Sequence, residues 1–533
     1  MSVIDPQAEF EKTMTQSANS DDGKGGESIT TMLADFVKSR GELIHDSNKD
    51  AFFTEAATGI TMRIESRSFR DWICAGYYKD QAKIPRSSSV KEVIEALCGT
   101  ARFDAEMTDV SLRVTGSDNQ YFLDLGMNQA SSVVEIKAGN WQVLNSSATK
   151  FYRIEAMQPL PLPIKGGDLG LLWRYANVPP QYRLLVIAWL CDCLRPNTPY
   201  PILEILGEQG SAKSTTQAML RRLIDPNACD LRSAPKQCED LFVAARSNHL
   251  LCYENLSHLS PPIQDSMCVI STGGGHATRK LYTNDEEAVL KAKRPIVVNG
   301  ISAILTAQDV LDRAVSIELP PITDRRDVAK LNCEFDECRG AILGGLLDVF
   351  AKALGLLPTV SIPPNERPRL NEFAYLGIAI EQAMGELAGT FMHQFDEQKA
   401  NALGRSLESS PVAGAFIQWF EATGRAIREM TAGDILSALT RYKPEHTDAW
   451  PKSAKGFAEQ LRRLTPALRS YGIEVKSLGK VGGSIKWMVR DKSSKLSPAS
   501  PASLGSPDDE GGDQDVRTSS TSNENLSPRV EVI

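Results

Sequence analysis

Residues 201–215 read PILEILGEQGSAKST. The apolar run Ile202–Leu206 predicts a buried strand. Gly207 and Gly210 then open a turn that closes on Lys213, Ser214 and Thr215, and Gln217–Leu223 carries a helical pattern. Strand, glycine-rich turn, Lys-Ser and helix form the layout of a phosphate-binding loop. In that layout the backbone N–H groups of Gly207, Glu208, Gln209, Gly210, Ser211 and Ala212 surround the phosphates. The Lys213 ammonium neutralises β and γ charge, and the Ser214 hydroxyl binds Mg²⁺, so ATP with Mg²⁺ is the expected ligand. The competing reading is a purely structural turn; the flanking strand and helix argue for the loop. One position departs from the pattern, because Ala212 stands where glycine is usual. At a helix N-terminus this residue is expected to need no left-handed backbone, so the site should accept its methyl group.

The 533 residues leave room for several domains, and 42 % apolar with 24 % charged residues is ordinary for a globular chain. A net charge of −8 excludes a generally basic nucleic-acid coat but not a local basic channel. No apolar run is expected to reach bilayer-spanning length, and residues 1–16 have neither the basic start nor the apolar core of a secretory leader. The ten cysteines are scattered. Cys191 and Cys193 lie too close for a usual zinc pair, and Cys333 and Cys338 have no second pair nearby, so buried free thiols in a reducing cytoplasm are expected.

Residues 1–28 and the Ser- and Pro-rich tail 493–533 are expected to be disordered. An N-terminal α+β domain is expected over 29–160, with a helix at Val90–Cys98 and strands at Leu112–Thr115, Tyr121–Leu125, Val133–Ile136 and Trp141–Leu144. Pro159–Gly167, PLPLPIKGG, reads as a linker. Helices are expected at Leu169–Ala176 and Tyr182–Leu194. Over 165–330 the apolar runs Ile202–Leu206, Leu250–Tyr253, Ile296–Asn299 and Val315–Leu319 alternate with helical patterns. That alternation predicts an α/β core with a parallel sheet and ligands at the strands' C-terminal ends. Residues 331–405 read as helical, with Ala341–Leu354 strongly apolar. Over 410–490, a helical pattern at Ser453–Ser470, with a break expected at Pro466, precedes two strand-like runs joined by Gly482–Gly483. Helix then hairpin is the winged-helix order.

ATP hydrolysis needs an acid at the end of a second strand. The run Leu250–Asn255, LLCYEN, supplies Glu254 for the metal or the attacking water, and Asn255 to orient that water; an ordinary strand end is the alternative. Asn299 closes the run RPIVVNG and is placed to bond the water or the γ-phosphate, or to form a turn. Arg313 precedes the next strand. It either reaches a γ-phosphate across a subunit interface or pairs with Asp312 or Asp309. The stretch Ser271–Lys280, STGGGHATRK, is expected to be a mobile loop. There His276, Arg279 and Lys280 grip the phosphates of one strand or are simply solvated, and Tyr282 stacks on a base or packs.

The loop together with Tyr-Glu-Asn-Leu-Ser, Ser-Thr-Gly-Gly-Gly, Arg-Pro-Ile-Val-Val-Asn-Gly and Asp-Arg-Ala-Val resembles the ATPases of phages and integrated mobile elements. That group is similar to helicase superfamily III and the primase-associated helicases of the AAA+ class. The resemblance is good over 165–330 and looser over 106–160 and 410–490. It implies that Gly207, Gly210, Lys213, Ser214 and Thr215 form the phosphate loop. It further implies that Glu254 is the second-strand acid, Asn299 the first sensor and Arg313 the arginine finger. No paired-carboxylate or zinc-ribbon pattern of a primase lies upstream.

The implied function is an ATP-hydrolysing DNA helicase or translocase, a ring and most simply a hexamer, in replication of a phage or mobile element. The alternative is a regulatory or defence ATPase that assembles on ATP with little unwinding; Glu-Asn in place of an acidic pair favours it. A small-molecule kinase fits less well with the long flanking domains and Arg313. The C-terminal region is basic through Lys452, Lys455, Arg462, Arg463, Arg469, Lys476, Lys480 and Lys486. A winged helix would set one helix in a DNA groove, with Lys455, Arg462, Arg463 and Lys486 as contacts; a solvated face or a protein-binding surface is the alternative. Trp450 and Trp487 are expected in the core. No membrane partner is expected.

Overall fold

The structure, a computed structural model, describes residues 28–492 apart from 128–130, 146, 280–286, 409, 446–449 and 482–483. The disorder expected for 1–27 and 493–533, and the positions of Lys280, Tyr282, Gly482 and Gly483, lie outside the described residues.

The described residues begin with helices Ile29–Lys38, Arg67–Gln81 and Ser87–Phe103 beside a three-stranded antiparallel sheet, Gly41–His45, Ala51–Glu55 and Thr61–Arg63. Val90, Val93, Leu97 and Ala101 recur at helical spacing and bury against Phe53 and Phe69. The hydroxyls of Ser28 and Ser66 cap the first two helices by accepting from Thr31 N and Phe69 N. An antiparallel meander follows: Val114–Ser117, Gln120–Asp124, Val133–Lys137 and Asn140–Leu144. Its alternating residues Tyr121, Leu123, Val134, Ile136 and Trp141 share one apolar cluster with helix Pro180–Asp192. Leu169–Arg174, read from sequence as an α-helix, is instead a short 3₁₀ segment capped by the Asp168 carboxylate.

The central sheet has four parallel strands: β1 (Ile202–Leu206), β2 (Leu251–Tyr253), β3 (Ile296–Gly300) and β4 (Ala314–Glu318), in the spatial order β2-β3-β1-β4. Helix α1 (Lys213–Ile224) follows β1, α2 (Pro261–Thr272) follows β2, and α3 (Val328–Leu356) follows β4. Every residue of β1 is buried, including Glu204. Its carboxylate accepts from Ile304 N (2.8 Å), Leu305 N (2.9 Å) and Ser316 Oγ (2.5 Å). These bonds offset the cost of burying the charge and fix the connection between β3 and β4 to β1.

Three expectations need correction. The glycine stretch is not a loop over its described residues, 271–279: α2 ends at Thr272, Gly273 turns at φ +94°, and Gly275–Arg279 pairs antiparallel with Glu287–Lys291. A Cβ on Gly274 would lie 2.5 Å from Val269 Cγ1, so this glycine serves close packing on α2 rather than mobility. Helix Ala454–Ser470 runs unbroken through Pro466; one proline removes one N–H, while Phe457, Leu461 and Leu468 stay anchored in the core. Finally, Val328–Thr359 does contain a window long and apolar enough to cross a bilayer, and 61 % of that window is buried inside the fold. Gly344 belongs to this helix because a Cβ there would collide with the Ile164 carbonyl.

The C-terminal part comprises helices Pro411–Ala422, Ala432–Leu439 and Ala454–Ser470 and a three-stranded antiparallel sheet. In that sheet Ser484–Asp491 lies between Arg428–Thr431 and Ile473–Val481. Trp487 is buried and Trp450 half-buried.

A buried polar network joins the meander to the central sheet. Arg113 Nε meets Asp225 Oδ1 at 3.1 Å with both side chains out of water. Asp225 Oδ2 accepts from His249 N (3.0 Å) and Leu250 N (3.1 Å), and the His249 ring donates Nε2–H to Cys193 O (2.8 Å). Burial drives the His249 imidazole down to about 4. The folded state therefore refuses a proton that the unfolded chain accepts near 6.5. Stability is fully present above about pH 6.5 and declines by about 3 kcal/mol as pH falls toward 4. Denaturant titrations of wild type and His249→Gln across that window should show a shallower pH slope for the variant; equal slopes would remove His249 as the cause.

Candidate nucleotide site

The C-terminal ends of the four central strands lie together, with Leu206 in register with Gly300 and Glu318, and Tyr253 with Val298. The loop Gly207–Ala212 leaves β1 at this edge and enters α1 at Lys213. Gly207 (φ +150°) cannot carry a side chain, since a Cβ would lie 2.7 Å from both Leu319 O and Ser211 Oγ. Ser211 Oγ donates to Glu208 O at 2.9 Å and closes the turn on itself. Ala212 has φ +56° and ψ +33°. The expectation that it avoids a left-handed backbone is therefore wrong, and the strain for an L-residue is about 1–2 kcal/mol. Helix α1 starts without a capping side chain, which leaves its first N–H groups for an anion.

Lys213 is buried and curls back onto the loop. Its Nζ donates to Gly207 O (2.8 Å) and Glu208 O (2.7 Å), and burial lowers its pKa from the usual lysine value. Beside it lies a cavity of about 720 Å³ lined by Gln209, Gly210, Ala212, Lys213, Ser214 and Thr215 from the loop and α1. Across from them stand Asn255, Leu256 and Ser257 after β2 and Gly300, Ile301 and Ser302 after β3.

The acid and amide at the second strand separate here. Glu254 is half-buried and its N–H bonds to Arg232 O (2.9 Å), but the residue does not line the cavity; Asn255, at φ +54°, does. Asn299 is fully buried. Its Oδ1 accepts from Asn255 N (2.9 Å) and its Nδ2 donates to Gln217 Oε1. Gln217 Nε2 in turn donates to Tyr253 O and Val297 O, both at 3.1 Å. Asn299 thus fixes the exit of β2 relative to α1. Gln217 carries no sequence signal beyond a polar residue in the apolar face of a helix. A second residue missed in the sequence is Asn177, whose Nδ2 bridges Ser211 O (3.1 Å) and Pro320 O (2.8 Å) while its N–H donates to Thr216 Oγ1 (3.0 Å).

Arg313 is not brought to this loop. Its carbonyl accepts from Ile202 N (2.9 Å), at the opposite end of β1, and five residues of strand span about 15 Å. Its guanidinium pairs with Asp309, which also holds Arg369 at 2.6 Å. Of the residues read as DNA contacts, His276 and Arg279 lie on the hairpin strand Gly275–Arg279. Lys455, Arg462 and Arg463 are exposed on helix Ala454–Ser470, with the Arg462 guanidinium 5.5 Å above the Trp487 ring, and Lys486 is half-buried on the adjoining strand.

The backbone at residue 212 can be probed directly. Ala212→Gly should leave unfolding free energy unchanged or raise it by up to about 1 kcal/mol, as relief of strain is partly offset by glycine's entropy. Ala212→Val should lower it by more than about 1 kcal/mol, because a β-branched residue resists positive φ more strongly. Equal stability of the valine variant and wild type would contradict a left-handed residue 212.

No curated protein matches this chain. The apo C-terminal region of NrS-1 is 11 % identical, with 87 % of this chain and all of that one covered and a TM-score of 0.37. A structure titled SCCmec type IV Cch, an active helicase, is 10 % identical over 84 % of this chain and 92 % of its own, with a TM-score of 0.44. Residues 169–394 match the family model of the actinomycete integrative conjugative element replication protein, and residues 412–500 match that of the AICE RepA C-terminal domain. In its central and C-terminal parts, then, this chain matches a replication protein of a mobile element.

Proposed function

We propose that the chain is an ATPase that works on DNA during replication of such an element, as a helicase or translocase. The observation that carries this reading is the Lys213 ammonium held against the Gly207 and Glu208 carbonyls of a tight glycine-containing loop, beside a cavity bounded by the ends of β1, β2 and β3. A nucleotide's phosphates would take over the lysine's bonds and meet the uncapped N–H groups of α1. Ser214 and Thr215 line that cavity and offer hydroxyls suited to Mg²⁺, which neutralises charge between the β and γ phosphates. Glu254 would act on the metal's water or the attacking water, held in place through Asn255 and Asn299.

Arg313, at the far end of β1 from its own loop, suits a neighbouring subunit's nucleotide, and on that ground a closed ring such as a hexamer is the assembly proposed. The likeness to helicase superfamily III within the AAA+ class belongs to this proposal. So does a winged-helix role for residues 410–490, where strand Arg428–Thr431, two helices and a hairpin follow helix Pro411–Ala422. Lys455, Arg462, Arg463 and Lys486 would meet phosphates there, and His276 and Arg279 on strand Gly275–Arg279 would do so with Lys280, the next residue in sequence.

A second reading is a nucleotide-gated assembly with slow turnover. One observation favours it: Asn255, not Glu254, faces the cavity.

ATP hydrolysis measured with and without single-stranded DNA separates the two. Under the motor reading DNA accelerates turnover, Lys213→Ala abolishes nucleotide binding and turnover, and Glu254→Gln binds ATP but hydrolyses it about 100-fold more slowly or worse. Arg313→Ala should lose turnover yet keep ATP binding. ATP-dependent assembly without DNA-stimulated turnover would support the gated reading, and unchanged hydrolysis in Lys213→Ala would overturn both.

A further inference from the structure

The chain leaving β4 brings a cation to the loop that the phosphate-loop pattern does not contain. Three bonds hold this segment along the loop: Leu319 N to Leu206 O (2.8 Å), Asn177 Nδ2 to Pro320 O (2.8 Å) and Ile322 N to Gly210 O (3.2 Å). Arg325 follows three residues on. Beyond its own chain neighbours, a Cβ built on Gly210 would meet Arg325 Nη2 at 3.5 Å and no other atom within 4 Å. The two neighbouring arginines differ in state. Arg326 is committed, donating to Arg174 O (3.2 Å) and pairing with Glu334. Arg325 is exposed, and no hydrogen bond or ion pair holds its guanidinium among the described residues. A guanidinium this close to a backbone with no carboxylate engaging it is set to receive an anion there.

Charge balance points the same way. A nucleoside triphosphate carries one more phosphate charge than a diphosphate. Within one chain the loop offers only Lys213 for it, since Arg313 lies at the other end of β1. We propose that Arg325 is a second cationic ligand for the terminal phosphate of a nucleoside triphosphate bound by its own chain, so that the loop distinguishes triphosphate from diphosphate. The proposal rests on the nucleotide-binding reading of Gly207–Thr215. It assigns to Arg325 a contact made in the same subunit, where Arg313 is assigned one made across an interface.

The test is equilibrium binding of ADP and of a non-hydrolysable ATP analogue to the full chain in Mg²⁺. The chains compared are wild type, Arg325→Ala, Arg325→Lys, Arg326→Ala and Lys213→Ala. Arg325 is exposed, so its variants should fold, and thermal unfolding checks this. Loss of a charge-assisted bond predicts that Arg325→Ala binds the triphosphate analogue about tenfold more weakly or worse while ADP affinity moves less than about twofold. Arg325→Lys should fall between, keeping charge but losing the fork, and Arg326→Ala should bind both like wild type. An equal loss for both nucleotides, or no loss for either, would overturn the proposal. If Lys213→Ala also binds normally, the nucleotide reading of the loop fails with it; if only Lys213→Ala is impaired, the assignment of Arg325 fails alone. Recovery of triphosphate affinity on mixing Arg325→Ala with Lys213→Ala chains would place Arg325 in a neighbour's site and overturn the same-chain contact.

Discussion

The Gln217 side chain sits fully buried between α1 and the sheet, four residues past Lys213. It spans two strands at once, donating to the carbonyls of Tyr253 and Val297 and accepting from Asn299. A buried amide in this position must be satisfied on both ends, and each lost partner costs about 1–3 kcal/mol. That requirement fixes the distance from the lysine-bearing helix to the ends of β2 and β3. The cavity and the turn at Asn255 inherit their geometry from this single side chain. The loop itself contributes little rigidity of its own beyond the Ser211–Glu208 bond; it is held from outside by Lys213 at the start of α1, by Asn177 and by the chain leaving β4.

The parallel sheet was legible because strands buried on both faces read as continuous apolar runs, and Ile202–Leu206 and Ile296–Gly300 are such runs. The loop was legible because glycine spacing and Lys-Ser are a pattern with a mechanism. What escaped the sequence has physical reasons. Ala212 takes a left-handed backbone that no alanine advertises, since the surrounding turn imposes it. Gly273–Gly275 was ambiguous because glycine marks either freedom or close approach, and only the position of Val269 decides between them. Pro466 was read as a break because propensity counts the lost hydrogen bond but not the three apolar anchors on the same helix face. Gln217, Asn177 and Arg325 belong to no motif. Their roles come from contacts between segments distant in the chain, and a linear reading has no access to those.

Sequence order also hides direction. Arg313 follows Asn299 by fourteen positions, yet the two stand at different ends of the sheet, because the chain must return to the start of β4 before running parallel to β1. In a parallel sheet each strand begins where its neighbours begin. Residues just before a strand and residues just after one are therefore separated by the strand's full length, and cannot serve the same ligand within one chain.

Glu204 gives that separation a mechanical meaning. It stands three residues upstream of Gly207 and grips the amides of Ile304 and Leu305 and the hydroxyl of Ser316. The stretch it holds leads directly into the short helix before Arg313. Bonds to a buried carboxylate do not stretch gradually; they hold or they break. β1, the stretch from Ile304 and the short helix before Arg313 are therefore tied into one mechanical unit, with the Gly207–Ala212 loop at one end and Arg313 at the other.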